Sequence, residues 1–345
     1  MLFNVSTDTG YLINGYLVPD GFSESGSIEV WSGGVRLVRV AATEHIPALL
    51  NAGRHATGMC GFTIGVSHIS DLPELSDLAI FDAETGILIY RRPSARHLQK
   101  RIVRIDSHLL PLRSLDDVLS ENFRFNYHRI EKYGFETVQQ IFHLPDASSL
   151  YISGRVLVKS YEHLVGEETN LIILLREPYF ELAERILLIR QLGKGNYDNV
   201  LGERDNLSLA PAIHFVNELQ LSEHHAIRRS FRSMSDRAMR LFANPLTRTL
   251  SAKTPDEGLF DGSISTSLDV LASCAVVGFR SQPEIFRTLL SDLAQVPVEA
   301  LPSLDEYESV TKLGAALSEI KEVADILDKD LQLFDRVLQA YKSVF

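Results

Sequence analysis

The sequence predicts an α/β protein, in which a small antiparallel β module precedes a larger domain with a parallel sheet flanked by helices. Three observations predict it. Residues from about Gly10 to Pro93 are rich in Gly and in short β-branched runs, separated by close turn signals. From Leu115 onward, apolar strand-like runs alternate with helical patterns, the order that builds a parallel sheet covered by helices. The texture changes near Arg96, which divides the chain into residues 1–95 and 96–345. A chain of 345 residues exceeds the usual size of one domain.

In the first part, Tyr11–Val18, Ser27–Trp31, Val35–Val40, Gly61–Val66, Leu78–Asp82 and Leu88–Tyr90 read as strands. The turns between them are Pro19-Asp20-Gly21, Ser32-Gly33-Gly34 and Asp82-Ala83-Glu84-Thr85-Gly86. Short strands with close turns predict a small sandwich or barrel. The stretch Ser94–Arg104 is basic, with Arg96, Lys100, Arg101 and Arg104. It reads as a solvated linker or as a basic lip on a cleft of the second domain.

In the second part, Leu115–Phe123 reads as a helix, with Asp116 and Asp117 near its positive end. Val138–Leu144 reads as a short apolar strand, and Ser149–Val165 as a helix with Leu150, Leu157 and Leu164 on one face. Asn170–Leu175 is a continuous apolar run, as in a strand buried on both faces. Pro178 follows, and Tyr179–Leu192 reads as a helix ended by Gly193. Beyond it the pattern predicts a long helix Ser222–Phe242, a helix Ser263–Ala272, a strand Ala275–Phe279, a helix Pro283–Leu293 and a last helix from Leu304 to Tyr341.

Composition narrows the function. Apolar residues make up 45% and charged residues 23%, enough for a packed core. A net charge of −11 argues against a general binder of nucleic acid or anionic membrane, which must neutralise phosphates. Cys60 and Cys274 are distant and each sits in an apolar run, so they read as buried thiols rather than a disulfide or a zinc site. The start lacks a basic region followed by an apolar stretch, and the longest apolar runs are too short to span a bilayer. The expected location is the cytoplasm.

The segment from Val138 to Arg185 carries a resemblance. A strand read at Gln140–Leu144 leads into Pro145-Asp146-Ala147-Ser148-Ser149, and the next strand ends in Leu175-Arg176-Glu177-Pro178. This layout resembles the carbohydrate-type sulfotransferases, which have a P-loop-like fold and use the donor 3′-phosphoadenosine 5′-phosphosulfate (PAPS). Asn244-Pro245-Leu246-Thr247-Arg248, Val276-Val277-Gly278-Phe279 and Asp330-Leu331-Gln332-Leu333-Phe334-Asp335 extend the resemblance over residues 135–342. It implies that Ser148 and Ser149 bind the 5′-phosphosulfate at a helix N-terminus. It also implies that Arg176 binds the 3′-phosphate, and that a sulfuryl group passes to a sugar hydroxyl of a bacterial-type surface polysaccharide.

Three positions depart from the family pattern. Asp146 stands where the family has a basic residue, Ser148 where it has Gly, and Glu184 where it often has Ser. A charge about 4 Å from another of like sign costs about 1 kcal/mol in water and about 4 near a protein surface. These departures open an alternative: a non-catalytic relative that binds a glycan or a protein partner in polysaccharide assembly or its regulation.

The transfer would need a base, and His143, His163, His214, His224 and His225 are available, with none singled out as catalytic. No pattern has metal-ligand spacing. Arg228 and Arg232 share a helical face and read either as a solvated surface paired with Glu223 and Asp236, or as a basic wall for an acidic polysaccharide. The N-terminal module resembles the small β-sandwich modules attached to bacterial glycosyltransferases and sulfotransferases. There Trp31 and Tyr16 are candidates to stack on sugar rings or to sit in the core.

Overall fold

The computed structural model describes residues 1–21, 24–144, 147–166, 168–194, 203–221 and 223–343, the first four residues of the 203–221 stretch by backbone only. The chain divides into two compact units. The first holds Met1–Arg101, Leu119–His128 and Tyr133–Ile152, and the second holds Ile102–Val118, Arg129–Lys132 and Ser153–Phe345.

The first unit is built on eight strands: β1 (Leu2–Asp8), β2 (Leu12–Val18), β3 (Ser27–Ser32), β4 (Val35–Ala41), β5 (Glu44–His45), β6 (Met59–Gly65), β7 (Ala79–Asp82) and β8 (Leu88–Arg91). They form two antiparallel four-stranded sheets, ordered β1-β2-β6-β5 and β4-β3-β7-β8. The six strands read from the sequence are all present. The alternation in β3, with Ile28 and Val30 fully buried and Glu29 outward, turns one face to the core. β1 is an addition, because its run Asn4-Val5-Ser6-Thr7-Asp8 is mostly polar and carries little apolar signal. The sheets are tied by Arg92, which donates to Asp8 (2.8 Å) and to the Leu72 and Leu75 carbonyls (2.6 Å each).

A parallel five-stranded sheet follows, made of β9 (Arg101–Ile105), β10 (Phe125–Tyr127), β11 (Leu150–Gly154), β12 (Thr169–Leu175) and β13 (Val276–Phe279). Its spatial order is β10-β11-β9-β12-β13. Phe125 stands opposite Leu150, and Ile172 opposite Val276. The last five residues of β12 are all buried, as a strand covered on both faces requires.

Four sequence readings are corrected. The segment read as a strand at Val138–Leu144 lies mostly in a helix, Phe135–Phe142, whose buried residues Thr137, Val138, Ile141 and Phe142 repeat at helical spacing. The segment read as a helix at Ser149–Val165 begins instead with β11, every residue of which is buried, and only then turns through the short helix Val158–Tyr161. The long helix over Ser222–Phe242 is two helices, His224–Arg232 and Asp236–Phe242, and Ser235 caps the second by accepting from the Ala238 amide (3.3 Å). Ser222 lies outside the described residues. The last helix is three, Glu308–Ser318, Lys321–Ile326 and Asp328–Lys342, interrupted where Ile320 adopts an extended backbone and buries its side chain.

The core of the second unit centres on the helix Pro178–Leu192. Pro178 opens it, and the Glu177 carboxylate caps it by accepting from the Tyr179 (3.0 Å) and Phe180 (3.2 Å) amides. Leu182, Ile186 and Ile189 pack in one cluster with Phe231, Phe242 and Leu317. On β13, Gly278 lets the Phe286 ring lie directly on the strand, where an added methyl would collide with it. Gly278→Ala should therefore destabilise the protein by about 1–3 kcal/mol, read as a lower urea midpoint. A midpoint unchanged from wild type would show that the ring moves aside freely. Cys60 is buried and Cys274 half-buried, and neither forms a disulfide. Among the described residues no helix is long and apolar enough to cross a membrane.

Candidate functional site

Strand order locates the candidate site. β9 is the first parallel strand and lies at the centre of the sheet. The chain leaves β9 toward β10 on one side, and leaves β12 toward β13 on the other. Two loops therefore diverge above the carboxyl ends of β9 and β12. Such a switch point opens a crevice, the usual ligand position in open α/β sheets.

The residues at those strand ends carry dense buried charge. Arg104 is 1% exposed and grips Asp106 through Nε (2.9 Å) and Nη2 (3.0 Å), and Asp116 through Nη1 (2.9 Å). The buried His108 ring approaches Asp106 at 3.9 Å, and its Nδ1 has no hydrogen-bond partner among the described residues. Arg185 donates to the Ser107 carbonyl (2.7 Å) and faces Glu181 (3.4 Å). Burial pulls the Arg185 guanidinium below its usual range, and the Glu181 charge offsets part of that.

At the end of β12, Arg176 is enclosed. Its Nη1 meets Glu184 at 2.6 Å, its Nε donates to Glu306 (3.0 Å), and its Nη2 also donates to Glu306. Burial opposes the charge of Arg176, but the Glu306 and Glu184 partners outweigh it and raise its pKa further. Arg280, just past β13, reaches Glu306 at 3.5 Å and donates to the Asp305 carbonyl (3.0 Å). Burial and then the neighbouring Arg176 lower its pKa. Two arginines thus face two glutamates. Beside them lies a hollow of about 440 Å³, lined by Leu110–Leu115, Arg280 and Pro302–Tyr307. That volume suits a small ligand.

The residues expected to bind PAPS do not all sit here. Arg176 does. Ser149 instead enters β11, buried, with its Oγ accepting from the Arg124 amide (3.0 Å). Ser148 donates to Gln99 (2.6 Å). Neither stands at a helix N-terminus, because the segment that follows them is a strand. Pro145 and Asp146 lie outside the described residues. Arg228 and Arg232 converge on Glu322 from Lys321–Ile326, at 2.9 and 2.5 Å, rather than on the expected Glu223 and Asp236. The Arg228 hydrogen bond holds the Glu322 carboxyl at about 2.

The five histidines named as possible bases, His143, His163, His214, His224 and His225, are all exposed. The buried histidine at the switch point is His108, which sequence reasoning passed over. Asp106, Glu181, Arg185, Arg280 and Glu306 were passed over too, while Arg104 was read only as part of a basic stretch and Asp116 only as a charge at a helix start. The apolar run Ile102-Val103 with Ile105 did signal a strand, and the residues just beyond a central parallel strand are where a site would be sought. No group of three or more metal-ligating side chains occurs among the described residues. Compared with models of known protein families and with curated protein sequences, the chain finds no match in either.

Proposed function

We propose that this chain is a non-catalytic binding protein of polysaccharide assembly, built on a sulfotransferase-like scaffold whose anion-binding arginine is occupied by the protein's own carboxylates. The closure of Arg176 by Glu184 and Glu306 carries the reading. An incoming phosphate would have to expel Glu306 and would still meet the buried Glu184. At about 4 Å that repulsion is about 4 kcal/mol near a protein surface. Ser148 and Ser149, engaged by Gln99 and Arg124, offer no compensating cradle. In this reading the ligand is an acidic glycan or a protein partner.

A second reading keeps a sulfuryl transferase working with PAPS. Its support is the placement of Arg176 and Arg280 at the ends of neighbouring strands, sharing Glu306, which is 30% exposed and could swing outward.

Calorimetric titration with PAP, the desulfated form of the donor, separates the two. The expected result is no measurable binding to folded protein. Micromolar binding that disappears in Arg176→Lys, with the far-ultraviolet circular dichroism unchanged, would overturn the non-catalytic reading in favour of the transferase.

A further inference from the structure

We propose that the first unit binds an acidic saccharide in the hollow between Trp31 and Arg96. This deepens the glycan-binding reading above and rests on it for the ligand's biological setting. The hollow lies wholly within the first unit and encloses about 850 Å³, room for a short oligosaccharide.

Its walls are preformed. The β3–β4 turn is held by Gly33 and Gly34 at φ +56° and +74°, values that favour glycine. Asp77 pins that turn by accepting from the Gly33 amide (2.6 Å) and the Ser32 hydroxyl. Trp31, half-buried, lies edge-on to Phe81, with centroids 6.4 Å apart and planes at 86°, and its Nε1 donates to Glu29 (3.3 Å). The indole is thus fixed before any ligand arrives. A rigid aromatic wall costs little entropy when a sugar ring packs on it.

The charge of the hollow is positive in a chain whose net charge is −11. Arg91 and Arg96 line it. Among the described residues neither makes an ion pair, and Arg124, which stacks over Tyr90 at 5.1 Å, makes none either. Burial and then the Arg96 charge lower the Arg91 pKa. Burial, then Arg91, Arg96 and Arg124, lower that of His97. Two carboxylates share the lining: Asp77, which binds the turn and also feels the Arg96 charge, and the exposed Glu121. At His97 the arginine charges still prevail. The Asn122 and Asn126 side chains add amide donors and acceptors suited to hydroxyl groups. Aromatic wall, free guanidinium and amides together match a saccharide bearing a carboxylate or sulfate better than a bare inorganic anion.

Trp31 is the chain's single tryptophan, so its emission reports on this hollow directly. The probe is a tetrasaccharide of alternating hexuronate and N-acetylhexosamine, with cellotetraose and inorganic phosphate as controls. The expected result is a saturable change in Trp31 emission with the acidic tetrasaccharide and none with either control. The exposed Arg96 tolerates substitution, and Arg96→Ala should weaken binding by about tenfold or more, the size of effect a lost charged hydrogen bond gives. No saturable response, an equal response to either control, or full affinity in Arg96→Ala would overturn the proposal. Each outcome is independent of whether PAP binds at Arg176, so the two readings fail separately.

Discussion

Replacing Arg104 with methionine is expected to destabilise the protein by about 3–5 kcal/mol, because it takes from two buried carboxylates the cation they share. Arg104 is fully covered and answers both Asp106 and Asp116, which are 5% and 3% exposed. Taking a charge out of water is costly, and its partner offsets that cost only while the partner is present. The measurement is the urea midpoint of Arg104→Met followed by circular dichroism. The triple variant Arg104→Met/Asp106→Asn/Asp116→Asn should recover much of the loss, since the two acids that shared Arg104 are then neutral amides. A single variant within about 1 kcal/mol of wild type, the worth of a surface pair, would mean that the cluster is effectively solvated.

The second large effect is a pH dependence set by Asp330. This residue is 1% exposed and accepts from the Leu246 (2.9 Å) and Thr247 (2.7 Å) amides at the start of the helix Pro245–Ser251. Asn244 returns the arrangement by accepting from the Lys329 (2.9 Å) and Asp330 (3.0 Å) amides at the start of Asp328–Lys342. Each helix caps the other. Burial pushes the Asp330 carboxyl up to about 6 from 3.8, against the pull of the amides, and Glu181 adds to the rise. An acid with a raised native pKa leaves the folded state holding the extra proton between those two values. Stability is therefore present below about pH 4 and lost as pH rises toward 6. At about 1.4 kcal/mol for each pKa step, the loss is about 3 kcal/mol. Other carboxylates titrate in the same window, so the test is the difference between wild type and Asp330→Asn. Wild type should lose ground against the variant from pH 4 to 6 and hold level above. A constant difference would rule out ionisation of Asp330 as the cause.

Six of the eight strands of the first unit were legible because they are short apolar or β-branched runs set between close turn signals, whereas β1 and the two-residue β5 were not. β12 and the helix after it were legible for the same local reasons: a buried apolar run, then Pro178 and a capping Glu177. The register of 135–165 was not. Leu150-Tyr151-Ile152 lies on a central strand, and Leu157 and Leu164 lie at helical spacing from Leu150 by coincidence of composition. Reading a helix there placed Ser148 and Ser149 at a helix N-terminus that does not exist. β9 carried an apolar signal in Ile102, Val103 and Ile105, but Arg101 and Arg104 within it read as part of a solvated basic stretch, because the carboxylates that meet Arg104 are not visible in the local pattern. For Arg104 one partner, Asp116, arrives from the following helix, Arg113–Ser120. For Arg176, whose family role the sequence suggested, the partner Glu306 lies 130 residues on, and no local pattern reports it.

The interleaving of the two units along the chain has a consequence for how the protein is made. The first unit takes in Leu119–His128 and Tyr133–Ile152, which emerge from the ribosome after a segment belonging to the second. The Tyr127 hydroxyl donates to the Leu88 carbonyl (2.7 Å), and the Arg124 Nε to the Arg91 carbonyl (2.7 Å). The two N-terminal sheets therefore wait for some fifty further residues, several seconds at ordinary elongation rates of about 5–20 residues per second. A nascent chain halted at residue 95 would expose β8 without these partners, whereas one extended past residue 152 could close the first unit while β12 and β13 remain unsynthesised.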